Sequence, residues 1–245
     1  MKSDILCGLA AVRAVFDRRP EAVQRLLYTE ALRHEVGDWC ARLATARKPY
    51  RLVPPDELAR AAATEHHGGI VAVASARVPA ILDLAQAPPA IAPRHQGDVL
   101  LLLDGIANPY NLGAIARSAE FFGALGLVLH ELPGAALPST AAHRTAEGGL
   151  EYLQLWRTRD LPAALTTLAP LWRLVAAVAE PDATPLDGLP RDRPIALILG
   201  HEERGIGAAV LAATRRRVRI AGRGRVHSLN VAHSATVLLH ALLGG

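Results

Sequence analysis

Three short stretches between residues 108 and 230 combine polar side chains with glycines and arginines. They read NPYNLGAIAR (108–117), GHEERGIG (200–207) and RVHSLN (225–230). Amide, hydroxyl and carboxylate groups can orient a polar ligand through hydrogen bonds, and a guanidinium can bind a phosphate or stabilise developing negative charge. These stretches hold the candidate functional residues of the chain.

Asn111 and Arg117 are the candidates in the first stretch. Asn108 and Pro109 form a turn and Asn111 is a favourable N-cap residue, so a helix is predicted to begin here. Arg117 follows among apolar neighbours that look buried, and a buried guanidinium needs a partner or a ligand. A capping asparagine with a solvent-facing arginine is the structural alternative.

Glu202 follows an apolar strand within a glycine-rich turn. Gly200 and Gly205 allow the chain to turn sharply and to expose backbone amides. The stretch lacks the Lys-Ser/Thr of a phosphate-binding P-loop, and it comes too late in the domain for a dinucleotide-binding G-x-G-x-x-G. Glu202 can accept hydrogen bonds from an arginine or an ammonium group, although an ordinary turn between strand and helix is the simpler interpretation.

The third stretch ends a basic segment. Six arginines fall within residues 215–225, with no acidic residue among them. They flank a short apolar strand and lead into a helix start at Ser228, Leu229 and Asn230, which predicts a fixed basic edge where a charge run would otherwise be disordered. Such an edge suits phosphate contacts. The net charge of +4 favours a polyanionic partner such as nucleic acid without requiring one.

The elements that would position these stretches form a regular pattern from residue 98 onward. Short apolar runs are typical of strands buried on both faces, and here they are VLLLLD, LGLVLH, RLVAAVA, IALILG and RVRIA. Helices are predicted between and after them at 112–124, roughly 160–169, roughly 206–213 and 229–243. This pattern predicts a doubly wound α/β domain, whose ligands bind beyond the carboxyl ends of the strands, where the three stretches lie.

The first 75 residues form a smaller predicted α/β unit. Its predicted elements are helices at 5–19, 32–47 and 56–63 and strands at 23–30, 50–54 and 66–75. Their alternation predicts a mostly parallel sheet covered by helices. A proline-rich segment at 76–97 has little periodicity and is predicted as a linker with at most one helical turn, which divides the chain into domains at 1–75 and 98–245.

Composition limits the class of protein. A chain of 245 residues that is 51% hydrophobic can bury a sizeable core. It has no uncharged apolar run of about 18 residues, the length needed to span a membrane. Charged residues interrupt the N-terminal apolar segment before it could serve as a signal peptide, so a cytoplasmic protein is expected. The two cysteines and ten histidines show no metal-ligand spacing, and no metal site is expected.

Together the three stretches resemble the SpoU/TrmH family of RNA ribose 2′-O-methyltransferases in the SPOUT superfamily. The motifs N-x-G-A-I-x-R, G-x-E-x-x-G and S-L-N are matched by Asn111, Gly113, Arg117, Gly200, Glu202, Gly205, Ser228, Leu229 and Asn230. Order and spacing agree over residues 98–245. The N-terminal part is similar to the ribosomal-protein-like substrate-binding domain of many members, although His67 stands where the family more often has Gln. His201 likewise replaces a more usual Ser, Asn or Thr.

The resemblance implies a C-terminal trefoil knot that binds S-adenosylmethionine, and a homodimer with active sites near its interface. It implies methylation of a ribose 2′-hydroxyl in structured RNA. Cofactor contacts, mostly through the main chain, are implied for Leu199, Gly200, Ile220, Ser228 and Leu229. Catalytic roles are implied for Asn111, Arg117, Glu202, Ser228 and Asn230.

Arg117 would lie beside the target ribose and its phosphate. The family proposal makes this residue a general base, but a guanidinium with a pKa above about 12 is rarely neutral. It is better suited to clamp the phosphate and stabilise the developing alkoxide. Ribosomal RNA is the expected substrate because of the additional N-terminal domain. The alternatives are transfer RNA, a non-catalytic RNA-binding module on the same fold, and a nucleotide-dependent oxidoreductase, for which the G-x-G-x-x-G motif is missing.

Overall fold

The computed structural model of the chain describes residues 3–85 and 89–244, and the α/β class expected from the sequence is confirmed. Its strands are β1 Ser3–Cys7, β2 Val23–Tyr28, β3 Tyr50–Leu52, β4 Ile70–Ser75, β5 Ala80–Ile81, β6 Val99–Asp104, β7 Gly126–His130, β8 Gln154–Thr158, β9 Arg173–Ala177, β10 Thr184–Pro185, β11 Ile195–Gly200 and β12 Arg216–Arg219. Its helices are α1 Leu9–Arg18, α2 Gly37–Thr45, α3 Pro55–Ala62, α4 Pro109–Phe121, α5 Thr140–Ala146, α6 Gly149–Tyr152, α7 Leu161–Leu168, α8 Ala208–Ala212 and α9 Val231–Leu243.

The chain folds into two compact units. The first contains Met1–Val78 and Pro138–Tyr152, and the second contains Pro79–Leu137 and Leu153–Gly245. Helices α5 and α6 therefore belong to the first unit by their contacts, although β7 and β8 of the second unit flank them in sequence. Within the predicted linker, a 3-10 turn occupies Pro89–Ile91, and residues 86–88 lie outside the described residues.

The sheet of the first unit is mixed, in the order β1-β4-β2-β3. The central strand β4 runs antiparallel to both β1 and β2, and only β2 and β3 are parallel. The prediction of a mostly parallel sheet is wrong because β4 is antiparallel to both its neighbours, one of which, β1, lies at the start of the predicted helix at 5–19. A short apolar run cannot be assigned to strand or helix by periodicity alone, and the boundary lies at Gly8, whose φ of 86° ends β1 before α1 begins.

The remaining N-terminal elements agree with the predictions in type and differ in length. Helix α2 is shorter than predicted, and β4 begins only after the two glycines that follow His67. The apolar face of α1 is buried at Val12, Val15 and Phe16. The ring of Phe16 stacks on Trp39 of α2 with the two centroids 4.9 Å apart, so the two helices share one core above the sheet.

A buried group of charged side chains attaches α5 and α6 to the first unit. We call it the Glu151 cluster; its members are Asp4, Arg19, Arg77, His143 and Glu151. Arg19 donates two hydrogen bonds of 2.7 Å to the carboxylate of Glu151, and Arg77 lies 3.3 Å from the same carboxylate. Nε2 of His143 lies 3.3 Å from Oδ2 of Asp4, and neither side chain is more than 3% exposed. Although burial alone would raise the pKa of Glu151, the Arg19 hydrogen bonds and charge lower it.

The sheet of the second unit is parallel throughout, in the order β10-β12-β9-β11-β6-β7-β8-β5. All five apolar runs predicted as strands are present, and β6, β7 and β11 are almost completely buried. Strand β8 was not predicted because QLWRT mixes polar and apolar residues and stands outside the apolar pattern. The sheet places the carboxyl ends of β6 and β11 side by side, with Asp104 in register with Gly200.

Helices α4 and α9 pack against each other in the second unit, where a hydrogen bond of 2.7 Å joins the hydroxyls of Ser118 and Thr236. Both helices were predicted, with boundaries within about three residues of those observed. Helix α9 is capped by Asn230, whose side-chain oxygen accepts a hydrogen bond from the amide of Ala232 at 2.8 Å. The last predicted stretch therefore leads directly into α9.

Candidate active site

The three polar stretches meet at the carboxyl ends of β6 and β11. The first follows β6 and opens α4, the second follows β11, and the third opens α9. Parallel pairing of the two strands brings the first two loops together, and the packing of α4 on α9 brings the third. Sequence reasoning located this edge of the sheet because ligands of such sheets bind beyond the carboxyl ends of the strands.

Glu202 joins the loop after β11 to the loop after β6. One carboxylate oxygen accepts from the amide of Ala107 at 3.1 Å, and the other accepts from the amide of Asn108 at 3.1 Å and from Nδ2 of Asn111 at 2.8 Å. Partial burial favours a higher pKa for Glu202, but these hydrogen bonds outweigh it and lower the pKa. Amide groups thus occupy the carboxylate for which the sequence suggested an arginine or ammonium partner.

Asn111 connects Glu202 to the third stretch. Its Oδ1 accepts a hydrogen bond from Nδ2 of Asn230 at 3.1 Å, while Oδ1 of Asn230 caps α9. Because Nδ2 of Asn111 faces a carboxylate, its Oδ1 must face a donor, and the orientation of both amides is fixed by Glu202. We call Glu202, Asn111 and Asn230 the carboxylate–amide chain; it links one residue from each predicted motif.

The prediction that Asn111 caps its helix is wrong. Asn108 is the cap residue, and its side chain accepts from the amide of Tyr110 at 2.9 Å while Pro109 occupies the first helical position. Asn111 lies one turn inside α4 and is only 9% exposed. Both asparagines are good cap residues, and the sequence signal that separates them is the proline that follows the first.

Arg117 is exposed, contrary to the expectation that its apolar neighbours bury it. Those neighbours, among them Ile115, Ala116 and Ala119, are buried on the other face of α4. The structural alternative of a solvent-facing arginine is therefore correct for the position of this side chain. An exposed guanidinium can also meet a ligand that arrives from solvent, so exposure does not remove Arg117 from the candidate set.

The loop after β11 is folded tightly back on its strand. His201 and Gly205 exchange two backbone hydrogen bonds of 2.9 Å, and Nδ1 of His201 accepts from the amide of Glu203 at 3.0 Å. A Cβ atom at Gly200 would lie 2.3 Å from the carbonyl carbon of Gly205, so only glycine fits there. The imidazole supplies the side-chain acceptor of a tight turn, as a serine or asparagine would.

The segment before α9 is exposed throughout residues 221–230, which includes Ser228 and Leu229. Upstream, Arg217 forms an ion pair with Glu180, and Nε of Arg219 donates to the carbonyl of Ala183 at 3.2 Å. These contacts fix part of the predicted basic edge beside the sheet. The remaining predicted cofactor positions differ in exposure: Leu199 is buried and Ile220 is partly buried.

Asp104 and His130 belong to the same edge of the sheet and were not predicted. Oδ1 of Asp104 lies 2.6 Å from Nδ1 of His130, and Oδ2 accepts from the amide of Gly207 at 2.7 Å. Burial favours a higher pKa for Asp104, yet the hydrogen bonds from His130 and Gly207 lower it. The available sequence signal was an acidic residue at the end of the otherwise apolar run VLLLLD.

Residues 3–85 and 89–244 contain neither a metal-binding cluster nor a membrane-spanning helix. No group of three or more His, Cys, Asp or Glu side chains is arranged there to hold a metal ion. No helix in these ranges is long and apolar enough to cross a membrane.

Comparison with known families assigns both parts of the sequence. The sequence pattern of the SpoU rRNA Methylase family matches residues 98–240, more than half of the chain. The chain belongs to the SpoU rRNA methylase family. The pattern described as RNA 2′-O ribose methyltransferase substrate binding matches residues 5–79 of this SpoU-family protein. The family suggested by the three motifs is therefore confirmed.

Several known proteins are similar to this SpoU-family chain over nearly its whole length. An uncharacterized tRNA/rRNA methyltransferase of Escherichia coli O157:H7 is 32% identical over 95% of the chain, which spans 65% of that relative's length. A 23S rRNA (guanosine-2′-O-)-methyltransferase of Nitrosomonas europaea is 27% identical over 97% of the chain and 90% of its own. The SpoU methyltransferase AviRb of Streptomyces viridochromogenes, solved with AdoMet, has the same fold, with a TM-score of 0.74, 23% identity and coverage of 99% and 89% of the two chains.

Proposed function

We propose that this protein transfers a methyl group from S-adenosylmethionine to a ribose 2′-hydroxyl in structured RNA, with ribosomal RNA as the preferred substrate. The observation that carries the proposal is the carboxylate–amide chain. It joins one residue from each of the three family motifs by hydrogen bonds of 2.8 and 3.1 Å at the carboxyl ends of β6 and β11. Family membership supplies the chemistry that this arrangement would serve.

The cofactor would be held mainly by main-chain groups at the end of β11 and in the segment between β12 and α9. The proposed contacts are those of Leu199, Gly200, Ile220, Ser228 and Leu229. The close packing of Gly205 and Ile206 on Gly200 fixes the main chain at the end of β11, where these contacts would be made. The exposed main chain at 221–230 is accessible to a ligand, and the relative from Streptomyces viridochromogenes was solved with AdoMet.

S-adenosylmethionine supplies the electrophilic methyl group when it is bound. Arg117 would contact the target ribose and its phosphate from the exposed side of α4, and it would stabilise the alkoxide that develops as the hydroxyl loses its proton. Asn230 and Ser228 would orient the hydroxyl or the guanidinium. Most of the rate enhancement would come from this positioning of the reactants.

Glu202 would act by positioning, since its lowered pKa and its three amide donors make it a poor proton acceptor. It would hold Asn111 against Asn230 and fix the two loops relative to each other. Asn111 would contact the substrate or Arg117 from the position that its hydrogen bonds with Glu202 and Asn230 fix. These roles make the carboxylate–amide chain a scaffold for Arg117 and Ser228.

The protein would act as a homodimer with a knotted C-terminal region. Exposed apolar residues on the packed helices α4 and α9 support dimerisation, since Phe121 is 81% exposed and Val237 is 39% exposed. The return of the chain from β12 to place α9 against α4, β6 and β11 is consistent with the trefoil knot that the family resemblance implies.

The RNA would contact both the basic edge at 215–225 and the first unit. The match of residues 5–79 to a substrate-binding family supports a role of that unit in substrate choice. Ribosomal RNA is favoured because the Nitrosomonas europaea relative, similar over 97% of this chain, is a 23S rRNA methyltransferase. Transfer RNA is the second candidate, because the Escherichia coli relative is described as a tRNA/rRNA methyltransferase.

Calorimetric titration of the purified protein with S-adenosylmethionine tests the cofactor assignment, with NADH as the control ligand. We expect saturable binding of S-adenosylmethionine and none of NADH. Binding of NADH alone would favour an oxidoreductase, and binding of RNA without either ligand would favour a non-catalytic RNA-binding module.

Substrate choice is tested separately with radiolabelled methyl groups. Ribosomal RNA and transfer RNA from cells that lack this protein would be offered in parallel, and incorporation would be compared at equal nucleotide concentration. We expect incorporation into ribosomal RNA. Faster labelling of transfer RNA would replace the substrate assignment and leave the reaction assignment intact.

A further inference from the structure

Two carboxylates connect the loops after β6 and β11 in opposite directions. Glu202 lies on the loop after β11 and accepts from amides of the loop after β6. Asp104 ends β6 and accepts from the amide of Gly207, at the far end of the loop after β11. The second loop is thus held near its beginning by its own carboxylate and at its end by Asp104.

Asp104 is built to hold that end firmly. It is 3% exposed, and its second oxygen is engaged by His130, the last residue of β7. Because the pKa of Asp104 is lowered, its carboxylate is ionised and accepts both hydrogen bonds, so Nδ1 of His130 carries the donated proton. One buried carboxylate therefore joins the carboxyl ends of β6 and β7 to the loop after β11.

Besides Asp104, this end of the loop is held by the buried side chain of Ile206 and by the hydrogen bond from the amide of Leu211 to the carbonyl of Gly207. Gly207 is the N-cap residue of the short helix α8, and it has no side chain with which to cap the helix. The upstream half is fixed by the backbone bonds between His201 and Gly205, which do not extend to Gly207. Release of the Gly207 amide would leave the second half of the loop less firmly held relative to Gly200.

We propose that Asp104, with His130 behind it, is a positioning residue for cofactor binding, an inference that rests on the proposed function. It would act through the loop after β11, whose residues Gly205 and Ile206 pack against Gly200, a proposed main-chain contact for S-adenosylmethionine at the end of β11. Loss of Asp104 would weaken cofactor binding while leaving Arg117 and the carboxylate–amide chain in place.

The test compares Asp104→Ala with Asp104→Asn in the full chain. Asp104→Ala removes both hydrogen bonds, so the dissociation constant for S-adenosylmethionine is expected to rise about tenfold or more. Asp104→Asn can still accept from Gly207 through Oδ1 and donate to His130 through Nδ2 once the imidazole changes tautomer. Its affinity should lie between those of wild type and Asp104→Ala. This intermediate affinity would show that hydrogen bonds at this position, and not only a buried negative charge, support cofactor binding.

Asp98 provides a matched control at the opposite end of the same strand. Its carboxylate also accepts from two backbone amides, those of Arg94 at 2.6 Å and His95 at 3.0 Å. Asp98→Ala is expected to lower stability but to keep wild-type affinity for S-adenosylmethionine. A purely structural role of Asp104 would instead make affinity follow stability in both variants.

Cofactor affinity, steady-state kinetics and amide hydrogen exchange decide the outcome. In Asp104→Ala and, to a smaller extent, Asp104→Asn, the KM for S-adenosylmethionine should rise while kcat at saturation and the KM for RNA stay unchanged. Amide hydrogen exchange over residues 200–207 should accelerate in the free protein. Equal exchange and equal affinity in wild type and both variants would overturn the inference, whereas absence of cofactor binding by wild type would overturn the proposed function instead.

Discussion

The Glu151 cluster of the first unit and the carboxylate–amide chain of the second unit use similar groups for different purposes. The side chain of Glu151 is 0% exposed and forms ion pairs with two guanidinium groups, so the charges of this cluster interact with one another within the first unit. Glu202 is 20% exposed on its side chain and receives only amide donors, at an edge of the sheet that is open to solvent. The ion pairs of Glu151 hold parts of the first unit together. The amides of Asn111 and Asn230, held in one orientation on the unit that carries the exposed Arg117, can contact a substrate.

The largest expected effect is on the stability of the first unit. Glu151→Gln would remove the buried carboxylate that pairs with the partly buried guanidinium groups of Arg19 and Arg77, at a cost of about 3 kcal/mol of unfolding free energy. Denaturant unfolding measures it. Asp56→Asn is the control because it breaks the exposed Asp56–Arg60 pair, which should contribute little. An equal and small change in both variants would contradict the structural role of the cluster.

The Glu151 cluster should also fail at low pH. The folded pKa of Glu151 is lowered, so its contribution is fully present above the pKa of the unfolded side chain, about 4.3, and is lost as the pH falls through the lower folded value. Wild type should therefore lose unfolding free energy below about pH 4 more steeply than Glu151→Gln does. Parallel pH profiles for the two proteins would show that this carboxylate is not paired in solution.

The next largest effect concerns activity without stability. Arg117→Ala should lower the methylation rate by about 10² to 10³-fold, because a stabiliser of the developing alkoxide is removed. Its unfolding free energy should stay close to wild type, since the side chain is exposed. Arg159→Ala serves as the control, as it removes another exposed arginine at the carboxyl edge of the same sheet. A wild-type rate and pH–rate profile for Arg117→Lys would show that the planar guanidinium is not needed.

Glu202→Gln should affect both stability and activity, each to an intermediate extent. The substitution turns one acceptor oxygen into a donor that faces an amide N–H, at a cost of about 1 to 3 kcal/mol. The methylation rate should fall as well, because Asn111 loses its fixed orientation. Glu203→Gln changes the neighbouring exposed carboxylate and should alter neither quantity. If Glu202→Gln lost stability but kept full activity, the carboxylate–amide chain would belong with the Glu151 cluster.

The smallest effect separates the two asparagines of the first motif. Asn108→Ala should cost about 1 kcal/mol through loss of the α4 cap, and Asn108→Ser should restore most of it. Neither change should lower the methylation rate as much as Asn111→Ala, which interrupts the carboxylate–amide chain. Thermal unfolding and initial rates of the three variants provide the comparison. The reverse ranking of the rates would show that the cap residue serves the reaction.

Part of the fold and of the candidate site could be predicted from the sequence. Apolar runs such as those of β6 and β11 are unambiguous, and the motifs at their ends meet at one edge of the sheet, as predicted. The join between β1 and α1 was lost because a short apolar strand continues into the apolar pattern of the helix. The capping role was assigned to Asn111 in place of Asn108 because either residue can cap a helix, and only the fold shows which one faces Glu202.

Features that depend on distant parts of the chain were not predictable from local pattern. The attachment of Glu151 to Arg19 joins residues separated by 132 positions, and nothing in the sequence around 138–152 indicates the unit to which it belongs. The pairing of Asp104 with Gly207 likewise requires the register between β6 and β11. Buried polar contacts of this kind follow from the topology, which a single sequence does not specify.

Analysis of the RNA product distinguishes methylation of the ribose from methylation of a base and shows whether Arg117 is needed. The purified protein would be incubated with S-adenosylmethionine carrying a labelled methyl group and with ribosomal RNA, and the RNA would then be digested to nucleosides. We expect label in a 2′-O-methylated nucleoside with wild-type protein and little or none with Arg117→Ala. Label on a base, or equal labelling of the ribose by both proteins, would contradict this expectation.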